Sequence, residues 1–237
     1  MKILALETSA KSVSAALWED GQLLASAYQN TGLTHSRTLM PLVDAMLNNS
    51  GFSLQDAGLI AVAAGPGSFT GLRIGVSAAK GLAWTLDLPC CAVSTLEAMA
   101  QNLRHMEATV ICAMDARRSQ IYNAVFTAHD GKLIRRTPDR AIGLADLADE
   151  LKTDEKMKIV VGDGAKLCYT YLSERCIVCS LAPSPLLMQN AVGVAQAAEE
   201  MAARGETVTA GALTPNYLRL SQAERERLAR GLKLTVD

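Results

Sequence analysis

The chain has 237 residues, 49% of them hydrophobic and 20% charged, enough to bury one large core or two modest ones without disulfide staples. With 23 lysines and arginines against 24 aspartates and glutamates the formal charge is −1, which excludes a broad cationic surface for nucleic acid, so RNA contact is expected to be shared with a partner. No apolar stretch approaches the roughly eighteen residues of a membrane helix, and Glu7 cuts the run Ile3 to Leu6 short of a signal-peptide core, so a cytoplasmic protein without membrane contact is expected.

Taken in chain order, the first third reads as a meander that passes into an alternating α/β pattern. Lys2 to Thr8 and Val13 to Trp18 are apolar runs, and Asp20-Gly21 is a hairpin signal leading into Gln22 to Tyr28. From Thr34 to Asn48 the residues Leu39, Leu42, Val43, Met46 and Leu47 recur at helical spacing, with Thr34 as the expected cap and Gly51 beyond the end. Leu59 to Ala64 is a short strand that enters a glycine-rich turn, followed by a small-residue helix from about Thr70 to Leu86. A strand at Cys90 to Val93 and a helix opening at Ser94 follow, where Glu97 three residues on fits a capping box.

The second half begins with the same shape. Thr109 to Met114 is an apolar strand, Asp115-Ala116-Arg117 a polar turn and Gln120 to Thr127 a second strand, after which Asp130-Gly131 repeats the hairpin signal. A helix at Leu144 to Leu151, a strand at Lys158 to Val161, a helix at Gly164 to Ser173 and a strand at Cys176 to Cys179 continue the alternation. A long helix from Leu186 to Arg204, ended by Gly205, is expected to return to the first domain. The boundaries that result are 1–104 with about 186–220 for a first domain, 105–185 for a smaller second one, and a charged tail at 221–237. In that tail Glu224 to Arg230 reads as a weakly apolar helix, suited to partial disorder or to contacts.

Two segments carry the local chemical signals. Gly65-Pro66-Gly67-Ser68-Phe69-Thr70-Gly71-Leu72-Arg73-Ile74-Gly75 takes a strand end through a tight loop into a helix. Its glycines fit an anion cradle, in which backbone N–H groups and a helix N-terminus meet a phosphate, and they equally fit close packing of the helix on a neighbouring backbone. No Gly-Lys-Ser or Gly-Lys-Thr ends the loop, so it is not a Walker loop. Glu7-Thr8-Ser9, at the end of the first strand, fits either a carboxylate and hydroxyls around a metal-bound phosphate or a capped turn.

Metal chemistry is weakly signalled. His35, His105 and His129 stand alone, and no Gly-x-Ser-x-Gly elbow is present. Cys176 and Cys179 have a metal-like spacing, but on a strand they point to opposite faces; Cys90, Cys91, Cys112 and Cys168 read as small buried hydrophobes, all six as reduced thiols.

These strings together resemble one family, the tRNA threonylcarbamoyladenosine biosynthesis protein TsaB, a relative of the catalytic subunit TsaD once grouped with glycoproteases. The likeness spans nearly the whole chain: Ile3 to Ser9, His35-Ser36 through Leu39-Met40-Pro41, the Gly65 to Gly75 loop, Ser94 to Glu97, Asp115-Ala116-Arg117 and Pro215-Asn216-Tyr217-Leu218-Arg219. Gly-Pro-Gly-Ser-Phe-Thr-Gly is its most specific string. The resemblance implies an α/β fold of the actin/Hsp70/sugar-kinase (ribonuclease H-like) type, with two duplicated domains, each a mixed sheet flanked by helices. The sister subunit holds its metal with a histidine pair in Asn-His-Leu-Glu-Gly-His. Against Ser94-Thr95-Leu96-Glu97-Ala98-Met99 those histidines fall on Thr95 and Met99, which cannot replace two imidazoles.

The resemblance therefore implies a non-catalytic scaffold with no cofactor of its own and no metal, a nucleotide entering only in an assembled complex. Its implied partners are TsaD, the small P-loop ATPase TsaE and tRNA reached through the complex, whose adenosine 37 receives the threonylcarbamoyl group; alone it is expected to form a homodimer. The implied partner interface is made by two first-domain helices, here with His35, Leu39, Met40, Val43, Met46, Leu72, Gly75, Val76 and Ala79, the same side chains being suited to burial against the chain's own sheet. A vestigial phosphate loop is expected at Glu7, Thr8, Ser9, Gly65, Gly67, Ser68 and Gly71. The alternatives are an actin-fold nucleotide-binding kinase using Glu7, a glycoprotease-like hydrolase, or a homodimeric binding module with another client.

Overall fold

The computed structural model describes residues 1–117 and 120–219. The first three strands, β1 (Lys2–Glu7), β2 (Val13–Glu19) and β3 (Gln22–Gln29), form the expected antiparallel meander. Asp20 and Gly21 both take positive φ, 47° and 79°, the geometry that lets a two-residue turn follow the strand twist. Helix α1 (His35–Ser50) leads to β4 (Leu59–Gly65), α2 (Phe69–Leu86) and β5 (Cys90–Ser94). β4 pairs β1 in parallel and β5 pairs β4 in parallel, so the sheet order is β3-β2-β1-β4-β5.

After α3 (Thr95–Gln101) the same construction is repeated. β6 (Ala108–Asp115) and β7 (Gln120–His129) are antiparallel, Asp130 and Gly131 again take positive φ, and β8 (Lys132–Arg135) returns along β7. A short β9 (Arg140–Gly143), unsignalled in the sequence, pairs the start of β7. Then come α4 (Leu144–Leu151), β10 (Lys158–Val161), α5 (Ala165–Ser173) and β11 (Ser180–Leu181), and the last helix among the described residues is α6 (Ala191–Ala203). The order β11-β10-β6-β7-β8 is the first sheet's order with β6 in the place of β1. This doubled topology is the actin/Hsp70/sugar-kinase-like, ribonuclease H-like α/β fold.

The core explains the layering. Successive residues of β1 point to opposite faces, so Leu4 and Leu6 meet α1 and α2, while Ile3 and Ala5 meet α6. In the second sheet Val110, Cys112 and Met114 face Leu96, Met99 and Leu103 around α3, and Ile111 and Ala113 face α4 and α5. The helices α3 and α6 thus stand between the sheets. They touch backbone to backbone: a Cβ on Gly193 would lie 1.9 Å from the Ala98 carbonyl oxygen.

Some expectations are corrected. Cys176 to Cys179 is not a strand: Cys176 turns left-handed at φ 58° straight after α5, and pairing begins only at Ser180. The last helix begins at Ala191 rather than Leu186, because Pro183 to Leu187 is taken up by a 3-10 turn and Asn190 caps the helix through its side chain. Thr34 is extended but makes no side-chain cap. Ser94 does cap α3, accepting from the Glu97 N–H, while the Glu97 carboxylate reaches Arg135 instead of completing a box. The tail at 221–237 lies outside the described residues.

Candidate functional site

The carboxyl ends of β1 and β4 meet the start of α2, and the glycine loop closes upon the Glu7-Thr8-Ser9 turn. The Ser68 N–H donates to the Ser9 carbonyl oxygen at 2.7 Å, and the Thr8 hydroxyl donates to the Gly71 carbonyl oxygen at 2.8 Å. A Cβ would meet the Ser9 oxygen at 2.5 Å from Gly67, the Thr8 oxygen at 2.1 Å from Gly71 and the Thr8 hydroxyl at 2.3 Å from Gly75. Gly65, at φ 135°, is crossed by the Asn216 backbone, whose N–H donates to Ala64 at 2.7 Å. The contacts show close packing at Gly67, Gly71 and Gly75, each set against Thr8 or Ser9, while Gly67, Ser68 and Thr70 also border an open cleft. The Ser68 hydroxyl serves as the α2 cap, 3.4 Å from the Gly71 N–H.

Beneath this turn Glu7 is fully buried. Its Oε1 accepts from the Ser9 N–H at 2.5 Å and its Oε2 meets no donor among the described residues. Burial pushes its carboxyl up to about 7, against the opposing hydrogen bonds from Ser9, with the nearby Asp163 adding to the rise. Asp163, which follows β10, is also pushed up by burial and accepts from Gln189 Nε2 at 3.0 Å. Asp163 and Gln189 had no sequence motif to mark them; the fold puts them there because β10 stands to β6 as β4 stands to β1.

Above the floor a cleft of about 540 Å³ opens between the domains, lined among others by Ser9, Lys11, Ser68, Asp115, Arg117 and Arg219. At its rim the Phe69 and Tyr217 rings stack with centroids 4.0 Å apart and planes 1° from parallel. Arg73 flanks the stack and donates from Nε to the Tyr217 hydroxyl at 3.1 Å.

Most of the residues expected at an interface face inward in the single chain. Leu39, Val43, Met46, Leu72, Val76 and Ala79 are buried against the chain's own first sheet, and Gly75 lies against Thr8. His35 is half-buried, its Nε2 2.7 Å from the Ala10 carbonyl oxygen, and ties α1 to the β1–β2 turn. Only Met40 of that set is exposed, at 42%. The reason is that an apolar stripe at helical period marks the face turned to the sheet. The outward face has Met40 on α1 and, unforeseen, Trp84 on α2 at 74% exposure. Thr95 and Met99 are buried, the Thr95 hydroxyl without a partner among the described residues and Met99 packed in the second core. All six cysteines are free thiols, with Cys90, Cys91, Cys112 and Cys168 buried. Among the described residues no cluster of three His, Cys, Asp or Glu side chains could hold a metal, and no helix is long and apolar enough to cross a membrane.

Duplicated sheets with paired central helices and a cleft over the β1 end define an actin/Hsp70/sugar-kinase-like protein. A family model described as "TsaD: tRNA N6-adenosine threonylcarbamoyltransferase" matches residues 29–226. The tRNA threonylcarbamoyladenosine biosynthesis protein TsaB of Bacillus subtilis (strain 168) is 35% identical over 231 residues, which span 94% of this chain and 96% of that protein. Its namesake from Escherichia coli (strain K12) is 34% identical, over 92% and 95%. The solved structure of YeaZ from Pseudomonas aeruginosa superposes with a TM-score of 0.79 at 30% identity, covering 92% of this chain and 99% of that one. The chain belongs to the TsaB family, within the glycoprotease-like group that the TsaD model describes.

Proposed function

We propose that this chain is the non-catalytic scaffold subunit of the machinery that forms N6-threonylcarbamoyladenosine at position 37 of tRNAs reading codons that begin with A, acting in the cytoplasm by binding a metal-dependent TsaD-type paralogue. The observation that carries this reading is at Thr95 and Met99. The two positions that answer the sister subunit's histidines hold a hydroxyl and a thioether, both buried between α3 and its neighbours. Neither is a ligand for a hard or borderline cation, and a packed core side chain has no open coordination face.

For nucleotide, the packing of the glycine loop upon Thr8 and Ser9 supports a site that only partners complete. The outward face of α1 and α2, with Met40 and Trp84, is the surface offered to the paralogue, or to a second copy when the paralogue is missing. TsaE would join the pair, and tRNA would reach the assembly.

The deciding experiment is threonylcarbamoylation of unmodified tRNA by a purified paralogue, the ATPase and a threonylcarbamoyl-adenylate source, with and without this chain. Modification that requires the chain and is lost in Met40→Asp or Trp84→Asp supports the scaffold; modification indifferent to the chain overturns it. One observation favours an actin-fold enzyme instead, the Glu7 carboxyl that burial raises to about 7 beneath the turn bordering the cleft. That reading requires turnover of nucleotide by the isolated chain, abolished in Glu7→Gln.

A further inference from the structure

We propose that the mouth of the interdomain cleft is an RNA-binding surface belonging to this chain itself, with Lys11, Arg73, Arg117 and Arg219 meeting the phosphates of a single-stranded segment and the Phe69–Tyr217 stack receiving an unstacked base. The distribution of charge is the first observation. Of the ten arginines among the described residues, Arg104, Arg135, Arg136, Arg140 and Arg204 are paired with carboxylates. Of the five others, three (Arg73, Arg117 and Arg219) gather at this one rim, beside Lys11. In a chain of net charge −1 this is a local concentration of positive charge at a concave place.

The two carboxylates of the lining are engaged from within: Asp115 Oδ1 accepts from the Arg117 N–H at 2.7 Å, and Asp163 Oδ1 from Gln189 Nε2 at 3.0 Å. Arg219 donates from one nitrogen to the Ala116 carbonyl oxygen at 2.9 Å, which fixes the guanidinium while leaving further donors for a phosphate.

The second observation is the aromatic stack. Arg73 stands 5.1 Å and 5.9 Å from the two ring centroids, at the edge of the pair rather than across one face, and Tyr217 is 37% exposed. A base can extend such a stack, and only single-stranded nucleic acid has free base faces to offer. The cations ring the mouth rather than converge on one point inside the cleft, an arrangement that suits a strand passing across it.

The proposal rests on the scaffold reading only in taking tRNA as the RNA. The test uses the full chain alone and a fluorescent anticodon stem–loop RNA without modification, followed by anisotropy over a range of potassium chloride. Lys11→Glu with Arg117→Glu should weaken binding at least about tenfold and flatten the log–log salt dependence by about 1.4, about 0.7 for each phosphate contact in a single strand. Tyr217→Ala should weaken it about tenfold with the slope unchanged. Arg175→Glu, at the opposite end of β10, should do neither. The Lys11→Gln, Arg117→Gln pair, compared by thermal melting with the parent, separates lost binding from lost folding.

Equal affinity of parent and charge-reversed chains overturns the proposal. So does displacement of the RNA by ATP whose own binding depends on the same residues, which would make the cleft a mononucleotide site. Because no paralogue is present, a negative result leaves the requirement for the chain in tRNA modification to be decided by its own assay.

Discussion

At Glu7 burial and local hydrogen bonding pull in opposite directions, and burial wins. A carboxyl whose folded value is raised from 4.5 to about 7 binds more protons in the folded than in the unfolded chain between those limits. Stability is therefore fully present below the unfolded value and falls as pH rises from about 4.5 to about 7, by on the order of 3 kcal/mol, and is level above. Glu7→Gln keeps an acceptor for the Ser9 N–H and removes the charge, so it should raise stability at pH 8 by a similar amount and flatten the profile. Urea unfolding at pH 5.5 and pH 8 checks this; a parent chain more stable at the higher pH would contradict it. The string Glu7-Thr8-Ser9 was visible in the sequence, but its alternative roles were not separable there. What separates them is the distance from Gly67 and Gly71 to the backbone of Ser9 and Thr8, about sixty positions earlier.

Helix α2 shows how far periodicity goes and where it stops. Its apolar stripe locates the helix to within a residue or so, and the stripe is the side that packs on the sheet. The exposed side is legible only once the buried side is known, because a lone tryptophan and a glycine among polar residues carry no period. Similarly, Cys176 to Cys179 reads as a strand by composition, and only the left-handed turn at Cys176 reveals that the chain is still leaving α5.

Gly81 gives the outward face a test. A Cβ there would meet nothing within 4 Å, so Gly81→Ala should stabilise the isolated chain by roughly 0.5–1 kcal/mol through helix propensity. If the face serves a close-packed partner, the same methyl should weaken association with the paralogue, as should Trp84→Ala, which leaves thermal stability nearly unchanged. Melting curves together with co-elution from a sizing column separate the two effects; unaltered co-elution in both variants would remove α2 from the interface.

For the whole molecule the duplicated hairpin signals, Asp20-Gly21 and Asp130-Gly131, announced two related halves, and the halves are indeed one topology used twice. How the halves join was not legible, because the junction depends on a glycine in α6 lying against a carbonyl of α3, ninety-five positions apart in the chain. Each of these helices serves the inner face of a different sheet, α6 through Val194 and Ala198 and α3 through Leu96 and Met99. Moving them apart would open both cores at once.

A methyl at Gly193 would sit 1.9 Å from the Ala98 oxygen, a distance no rotamer can relieve because the obstacle is backbone. Gly193→Ala gains helix propensity of roughly 1 kcal/mol, the same gain expected at Gly81, but must pay for overpacking of about 1–3 kcal/mol or more across two interfaces. The expected net result is a loss of up to about 2 kcal/mol, opposite in sign to Gly81→Ala, with near-ultraviolet dichroism and urea unfolding showing whether the two halves still melt together. One chemical change with two signs, decided by what the new methyl meets, is the measurement that tests whether α3 and α6 are the seam of the molecule. A neutral Gly193→Ala would mean that the helices have room to part and that the cleft between the domains can open along them.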